Sequence, residues 1–330
     1  MSLTAFVTGA SGFVGSNLVR ELNSQGWETT VLVRPTSFLE DIQDIPLNVC
    51  EGDIVDADSI RRAMPQNVSA VFHVAASTNV WAGNNDQQDA INIDGTRNMI
   101  EAAIAADAGR FIHTSSFTTW GFKDGEISEE SPRSRNSDWI NYVHSKKVAE
   151  GLVKQAVARE EIDAVILNPG HILGPGDRHN WSQMVTMVAT DSLPGMPPGG
   201  GAFADVREVA KAHIAAFHKG RKGEHYLLGG EDVSFQEVVK LVGEMLGKKV
   251  PDKPTPAWVL RTVAHFSALV ASITRKPPQI TPESAAMICH HMECNSERAK
   301  AELGYRHTPI RPLVEDTVNW MRQSGLIEPE

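Results

Sequence analysis

The segment TGASGFVG at residues 8–15 constrains the fold of this chain more than any other feature. It joins an apolar β-type run, 3–8, to a helix-type segment, 14–25. Its glycines permit a tight turn and a close approach of a ligand to the backbone, and the free N–H groups at the start of the next helix attract a pyrophosphate. The segment therefore predicts a dinucleotide site formed by Gly9, Ser11, Gly12, Phe13, Val14 and Gly15.

The first 170 residues alternate short β-type runs with longer helix-type segments, as expected for a parallel sheet with helices on both faces. The predicted strands are 3–8, 29–34, 47–51, 70–74, 110–115 and 164–167, and the predicted helices are 14–25, 58–64, 89–106 and 139–159. Most of the strands are almost wholly apolar, which indicates burial on both faces. We expect an α/β fold with a doubly wound parallel sheet, the Rossmann fold, and a smaller, mostly helical C-terminal domain.

Glycine and proline become frequent after residue 168, which marks a boundary. We expect a dinucleotide-binding domain at 1–170, to which the chain returns at about 202–229, and a mainly substrate-binding domain at 171–330. The most apolar late stretch, 262–273, is shorter than the roughly 20 residues that span a bilayer. It predicts a buried or pocket-lining helix, with peripheral membrane contact as the alternative.

The net charge of -10 argues against nonspecific binding of nucleic acid or of anionic membranes, so we expect a small-molecule partner and no membrane span. The three cysteines, Cys50, Cys289 and Cys294, do not form a disulfide framework and fit a reducing cytoplasm. The β-type run begins at Leu3 without a basic region or a cleavage site, so we expect no secretory signal.

The second predicted strand ends in Arg34, where an acidic residue would accept hydrogen bonds from the adenosine ribose of NAD. The planar guanidinium of Arg34, with Ser37 as a helper, suits a 2'-phosphate, so NADP(H) is preferred over NAD(H), which stays open. The alternative is a solvated surface arginine. Asp53 can accept from the adenine amino group, with Ile54 beside it, or can simply bond its own turn. Ala75 and Ala76 leave room for the cofactor beside the fourth strand.

Tyr142 and Lys146 are four residues apart in a predicted helix and so lie on one face. The ammonium of Lys146 can lower the pKa of Tyr142 and can hold the nicotinamide ribose. Ser116 follows the fifth strand, at the sheet edge where ligands bind, and can hydrogen-bond a substrate oxygen. These three residues predict proton transfer to or from a carbonyl or alcohol oxygen.

The order of these motifs, with Asn92, Asn168-Pro169-Gly170 and the TGASGFVG turn, resembles the extended short-chain dehydrogenases/reductases of the NAD-dependent epimerase/dehydratase superfamily. The segments FHVAAS, INIDGTRNMIEAA and LNPGHILGPGD are most similar to the branch of dihydroflavonol 4-reductase, cinnamoyl-CoA reductase and 3β-hydroxysteroid dehydrogenase. The resemblance implies that Asn92 belongs to the catalytic set, that Pro169 and Ile172 lie beside the nicotinamide, and that the protein is a homodimer.

The expected function is therefore an NADP(H)-dependent oxidoreductase that interconverts a carbonyl and a secondary alcohol on a small, partly apolar substrate. Two alternatives stay open. One is a nucleotide-sugar epimerase with tightly held NAD, for which Arg178, Arg207 and Arg221 would bind a diphosphate. The other is a noncatalytic NADP(H)-binding regulator. The resemblance argues against a dehydratase, because Phe117 and Thr118 stand where those enzymes carry an acidic pair.

Several other polar and aromatic residues are candidates for a metal site or for contact with the substrate. Cys289, His290, His291 and Cys294 have the residue types of a zinc site but not its paired spacing, so we expect no metal. His171 either faces the substrate or fills its loop. Three tryptophans are candidate pocket walls, although aromatic residues more often belong to the core: Trp81, Trp139 and Trp181.

Overall fold

The structure of the protein is a computed structural model that describes residues 2–274, 278 and 280–328. Its strands, in chain order, are β1 (Thr4–Thr8), β2 (Glu28–Val33), β3 (Asn48–Glu51), β4 (Ala70–His73), β5 (Arg110–Thr114), β6 (Gly125–Ile127), β7 (Ala164–Pro169), β8 (His171–Leu173), β9 (Gly200–Asp205), β10 (His225–Leu228), β11 (Glu231–Ser234) and β12 (His291–Cys294).

The helices are α1 (Phe13–Ser24), α2 (Ala57–Ala63), α3 (Asn85–Asp89), α4 (Gly95–Ala105), α5 (Asn141–Ala158), α6 (Trp181–Ala189), α7 (Val206–Lys219), α8 (Phe235–Met245), α9 (Ala257–Thr274), α10 (Pro282–Met287) and α11 (Ile310–Gln323). Two π-helical segments, Ala90–Asp94 and Ala299–Leu303, adjoin them. Short 3-10 turns cover Glu40–Ile42, Ala82–Asn84 and Phe117–Trp120.

Seven parallel strands form the main sheet in the order β10-β7-β5-β4-β1-β2-β3. Helices α1 and α7 contribute Leu18, Leu22 and Val209 to the apolar core on one face of the sheet. On the other face the core contains Ile60 of α2, Met99 of α4 and Val153 of α5. The predicted doubly wound fold is therefore confirmed, because continuous apolar strands need cover on both faces.

The chain reverses its direction of travel across the sheet between β1 and β4. The two loops that leave these neighbouring strands separate there and open a crevice at the carboxyl ends of the strands. Since β5 and β7 end at the same edge, the residues that follow all four strands surround one site.

A second, smaller sheet follows the order β11-β9-β12-β6, and β8 pairs with β9 beside this path. Its outer side packs on α6, α8 and α11 through an aromatic and aliphatic core that includes Phe203, Phe235 and Leu313. Helix α7 and strand β10 lie with the main sheet, whereas β9 lies in the second one. The division of the chain into domains at residue 170 stays a prediction.

Two predicted helices differ from those in the structure. The helix predicted over 89–106 is interrupted by the π-helical segment at 90–94, which a helical sequence pattern does not distinguish from regular helix. The predicted helix at 262–273 exists as part of α9, but its bulky side chains are exposed rather than buried. Within the described residues, no helix is both long and apolar enough to cross a membrane.

The central strand β5 offers a test of how strongly the sheet core stabilises the fold. We expect Ile112→Ala to lower the free energy of unfolding by about 2–5 kcal/mol, because it removes buried methyl groups and leaves a cavity. Ile104→Ala deletes the same atoms from the exposed side of α4 and should change it by less than about 0.5 kcal/mol. Urea unfolding of both variants measures the difference, and equal losses would contradict this account of the core.

Candidate active site

The turn after β1 has the close backbone packing that its glycines require. Gly9 has φ of +76°, and a Cβ there would lie 2.7 Å from the amide nitrogen of Ala75. A Cβ on Gly15 would lie 2.0 Å from the carbonyl oxygen of Gly9. A Cβ on Gly12 would meet only that oxygen, at 3.3 Å, so this position is open on its other side.

Gly12 is also the N-cap of α1, and no side chain caps the helix there. The first N–H groups of α1 therefore lack a side-chain acceptor, beside open space and at the positive end of the helix dipole. Ser11, Phe13 and Val14 are partly buried around the same turn. This arrangement fits the pyrophosphate of a dinucleotide.

Arg34 follows β2 in a turn closed by two hydrogen bonds with Ser37. The amide nitrogen of Arg34 donates to the Ser37 hydroxyl at 3.0 Å, and the Ser37 amide donates to the Arg34 carbonyl at 2.9 Å. The Arg34 side chain is exposed, and within the described residues no acidic group forms an ion pair with it. Arg34 thus has the access to solvent that binding of a phosphate requires.

Asp53 lies at the end of β3, where one carboxylate oxygen accepts from the amide of Val55 at 3.2 Å. The local turn that we considered as the alternative role is therefore present. Ile54 is buried against Gly95, where a Cβ would lie 2.7 Å from its Cδ1. Both residues follow β3 in the main sheet.

A chain of buried hydrogen bonds supports the loop after β4. The Thr8 hydroxyl lies 2.9 Å from Nδ1 of His73, whose Nε2 lies 3.0 Å from the Thr96 hydroxyl. Burial, and to a lesser extent the charge of Lys146, lowers the pKa of His73 to about 3, so the ring is neutral. The Ala75 amide donates to Thr8 at 3.3 Å, which holds Ala75 and its neighbour Ala76 at the crevice.

Asn92 lies in the π-helical segment before α4 and is buried. Its amide oxygen accepts from the Ser77 N–H at 2.8 Å, and its amide nitrogen donates to the Ser77 carbonyl at 2.9 Å and to the Ser145 hydroxyl at 3.0 Å. Asn92 thus ties the loop after β4 to helix α5. It holds the elements around Lys146 without contacting that side chain directly in this structure.

The side chain of Ser116 lies next to the phenol of Tyr142 and acts to lower its pKa. Ser116 caps the 3-10 turn after β5, where its hydroxyl accepts from the Thr118 hydroxyl at 2.9 Å. Burial raises the pKa of Tyr142 above its usual value, although Ser116 opposes the shift. The lowered pKa that we expected from Lys146 is therefore not found, because burial of the phenolate outweighs any stabilisation of it.

Lys146 lies one turn after Tyr142 on α5, as predicted, and is buried. Its ammonium donates to the Thr114 carbonyl at the end of β5, at 2.7 Å. Burial lowers the pKa of Lys146 to about 8, and the carboxylate of Glu150 works in the opposite direction. The lysine thus titrates near neutral pH instead of being a permanent cation.

Glu150 is a buried carboxylate that the sequence analysis missed, one further turn along α5. It accepts from the Asn168 amide at 2.6 Å and from the Thr119 hydroxyl at 3.1 Å, and it pairs with Arg133. The Asn168 amide nitrogen also donates to the Ser116 carbonyl at 3.0 Å. These bonds fix the backbone of Ser116 relative to α5. The only signal in the sequence was the four-residue step from Lys146.

Pro169 ends β7, which pairs with β5 in the main sheet, and Ile172 lies in β8. Between them His171 is surrounded by the rings of Phe117, Trp181, Phe203 and Phe235, with centroids 5.0–5.3 Å away. Burial lowers the pKa of His171 to about 3, so it is a neutral ring in an aromatic cluster. Trp181 belongs to this cluster, which is the core role that we weighed against a pocket wall.

Other residues considered from the sequence lie elsewhere. Trp139 is exposed, and Trp81 lies against Gly83 in the loop before α3. Among the described residues, the set of acidic and histidine groups close enough to share an ion is Asp232, His291 and Glu293, so Cys289, His290 and Cys294 do not join His291 in one site.

The three arginines considered for a substrate diphosphate are each engaged within the protein. Arg178 forms two bonds with Asp41, at 2.8 and 2.9 Å. Arg207 pairs with Asp205 and Asp316, both at 2.7 Å, and Arg221 pairs with Glu302 at 2.9 Å. They do not converge on one another.

The site therefore combines an anion-binding turn with a protonated phenol, a serine hydroxyl and a buried lysine at one sheet edge. The crevice between β1 and β4 suits a dinucleotide, because the start of α1 offers N–H groups without a side-chain acceptor and exposed Arg34 follows the neighbouring strand β2. The phenol and the serine can hydrogen-bond one oxygen atom of a substrate and exchange a proton with it. Such a set suits chemistry at a carbonyl or an alcohol.

Residues 5–229 match the model of the NAD dependent epimerase/dehydratase family. A Synechocystis sp. protein named as a provisional dihydroflavonol 4-reductase is 31% identical, over 98% of this chain and 96% of its own. The sterol demethylase protein B of Methylococcus capsulatus is 28% identical over 98% of this chain and all of its own. The crystal structure of DesIV, a dTDP-glucose 4,6-dehydratase from Streptomyces venezuelae, superposes with a TM-score of 0.81 at 21% identity, with 99% of each chain covered.

The lowered pKa of Lys146 makes stability depend on pH. Between pH 8 and 10.5 the folded protein binds fewer protons at this position than the unfolded chain, so Lys146 makes the free energy of unfolding rise with pH. Relative to Lys146→Met, the native protein should therefore gain roughly 1 kcal/mol per pH unit above pH 8, and nothing below it. Urea unfolding of both proteins at pH 7, 8, 9 and 9.5 measures this, and a constant difference would contradict it.

Proposed function

This chain belongs to the NAD dependent epimerase/dehydratase family, and we propose that it is an NADP(H)-dependent oxidoreductase that interconverts a carbonyl and a secondary alcohol. The observation that carries this proposal is the placement of Ser116 against the phenol of Tyr142, with buried Lys146 one turn further along α5. Because the pKa of Tyr142 is raised, its proton is retained until a stronger base forms next to it. A developing alkoxide is such a base, so the phenol suits the reduction of a carbonyl.

A bound reduced nicotinamide supplies the hydride in this reaction. Ser116 orients the substrate oxygen by a hydrogen bond. Tyr142 bonds the same oxygen and donates its proton to it. Tyr142 lies in the first turn of α5, where the helix dipole stabilises the phenolate that is left. The ammonium of Lys146, one turn on, adds a positive charge nearby. In the reverse direction, the oxidation of an alcohol, the same groups act and Tyr142 accepts the proton.

The preference for NADP(H) rests on Arg34. The side chain is exposed at the end of β2, and Ser37 holds its backbone in a turn that places a hydroxyl next to it. A guanidinium and a hydroxyl together suit the 2'-phosphate that distinguishes NADP from NAD. Residue 34 is an arginine, whereas NAD binding would need a carboxylate there to accept hydrogen bonds from its ribose.

A nucleotide-sugar epimerase is supported less well. Its substrate diphosphate needs free cations, and Arg178, Arg207 and Arg221 are all paired with carboxylates. A regulator without catalysis would not need a proton donor, yet Tyr142 lies beside Ser116, and buried Lys146 lies one turn further along α5. The reductase name of the Synechocystis sp. relative also favours the oxidoreductase.

Two finer features remain part of the proposal. We infer a homodimer through the outward sides of α4 and α5, on family resemblance. We infer a reducing cytoplasmic setting, because the cysteines are all free. The substrate is expected to be small and partly apolar, in keeping with the apolar residues that pack with Tyr142, such as Phe117 and Met287.

Cofactor choice is tested by Arg34→Glu. We expect the dissociation constant for NADPH to rise about 10–100-fold, because one charge-assisted contact is replaced by repulsion, while that for NADH changes far less. Fluorescence titration with each cofactor measures both constants. Arg159→Glu makes the same charge change at the exposed end of α5 and should bind NADPH like the native protein. Equal affinity of the native protein for both cofactors would refute the preference.

Catalysis is tested by Tyr142→Phe, which keeps the ring and removes the proton donor. We expect kcat for the reduction of an aromatic ketone or aldehyde to fall about 10²–10⁴-fold with NADPH binding retained. Tyr226→Phe removes a phenol that bonds Glu302 away from the crevice and should keep its kcat. Full activity of Tyr142→Phe would refute catalysis by Tyr142 and would favour the noncatalytic regulator. NAD that stays bound to the protein through purification would favour the epimerase.

A further inference from the structure

Helix α9 exposes an unusually apolar face. Trp258, Phe266 and Ile273 are 71%, 69% and 79% exposed, and Val263 and Val270 are exposed beside them. Eleven large hydrophobic residues of the described chain are exposed, and six of them lie between residues 258 and 273. Isolated apolar residues on a surface need no explanation, but a contiguous group of this size marks a surface that binds something.

Helix α9 exposes its large apolar side chains and buries mainly small ones, which is the reverse of an ordinary surface helix. Its buried positions are Leu260 and the small residues Ala264 and Ala271, whereas the bulky aromatic and β-branched side chains point away from the protein. A helix that only had to cover the core would bury its large apolar residues and expose polar ones. Packing within this chain therefore does not account for the outer face.

Charge indicates what covers this face. The stretch 253–282 contains four basic residues, Lys253, Arg261, Arg275 and Lys276, and no acidic residue. The whole chain has 41 acidic and 31 basic residues, so this stretch stands apart. Exposed Arg261 and His265 lie on the helix itself. An apolar face of aromatic and aliphatic residues with basic neighbours is the composition of a helix that lies in the interface of an anionic lipid layer.

A second copy of the chain fits this face less well. In a two-fold pair each α9 would present the same residues to its equivalent. The cation of Arg261 would then find no acidic partner on the facing helix, because α9 contains no acidic residue. Anionic head groups supply the missing negative charge, and Trp258, at the first turn, is a residue type that favours the head-group level.

Helix α9 is also close to the catalytic crevice. It packs on α10, whose Ala286 and Met287 contact the same apolar cluster as Tyr142 and Phe117. The Thr281 hydroxyl, at the N-cap of α10, donates to the Val80 carbonyl in the loop after β4, at 2.9 Å. One short helix thus separates the exposed apolar face from the side chains around the phenol.

We propose that α9 is an interfacial helix that docks the protein on an anionic lipid surface, with Trp258, Phe266 and Ile273 inserted among the lipids and Arg261 at the head groups. An 18-residue helix is about 27 Å long, and it lies along the surface. Docking would place the crevice near the source of an apolar substrate. This second step rests on the proposed function, whereas the docking does not.

Vesicle flotation tests the docking with the full chain. Vesicles of phosphatidylcholine alone and with about 30% phosphatidylglycerol are mixed with native protein, Phe266→Glu and Val49→Glu. Val49 is an apolar residue on β3, 54% exposed, so its substitution adds the same charge far from α9. We expect native protein and Val49→Glu to float with the anionic vesicles and Phe266→Glu to bind at least about tenfold more weakly. Raising the salt to 0.5 M should weaken binding.

Failure of the native protein to float with anionic vesicles, or equal flotation of Phe266→Glu, would overturn the proposal. A native dimer that Phe266→Glu converts to a monomer in sedimentation velocity would assign the face to a second copy and would overturn it as well. Reduction of a water-soluble ketone by all three proteins checks the site separately. Flotation without activity would leave the docking intact and refute the proposed function.

Discussion

The contact between two backbones at the crevice, Gly9 after β1 and Ala75 after β4, is the constraint on which the rest of the site depends. The two loops pass so closely that a Cβ on Gly9 would lie 2.7 Å from the Ala75 nitrogen, and Gly15 brings α1 against Gly9 in turn. A side chain at either glycine would push the start of α1 away from the sheet edge. The N–H groups at the start of α1, which we propose bind the pyrophosphate, would then move away from the crevice.

The polar groups of the proposed active site are held by buried polar bonds rather than by apolar packing alone. Asn92 ties α5 to the loop after β4, Lys146 bonds the end of β5, and Asn168 with Glu150 ties the end of β7 to Ser116. A buried polar group without a partner is costly, so each bond makes alternative arrangements of these elements unfavourable. The positions of Ser116 and Tyr142 are therefore fixed before a ligand binds.

Burial shifts the tyrosine and the lysine in opposite directions along the pH scale, since it penalises the charged form of each. It raises the pKa of Tyr142 and lowers that of Lys146 to about 8, which moves the two values apart. Tyr142 therefore keeps its proton at a pH at which Lys146 has begun to lose its own. The phenol is thus suited to donate a proton to an oxygen atom that becomes more basic during a reaction.

The sequence by itself determined the parallel sheet, the glycine turn and the placement of Tyr142 and Lys146 on one helix face. These features follow from local spacing, because side chains return to the same face every two residues in a strand and every three to four residues in a helix. A tight turn likewise involves only a few neighbouring residues. The strand bounds agreed with prediction to within one or two residues for the same reason.

Only the tertiary structure decided which charged and apolar groups have partners. Arg178 pairs with Asp41, 137 positions away, and Glu150 is held by Asn168 and Arg133 from other elements, so the sequence could not show that the first is engaged and the second buried. The outward face of α9 is likewise decided by which side of the helix its neighbour α10 covers. A helical pattern gives the spacing of apolar residues, but burial depends on what the fold places against them.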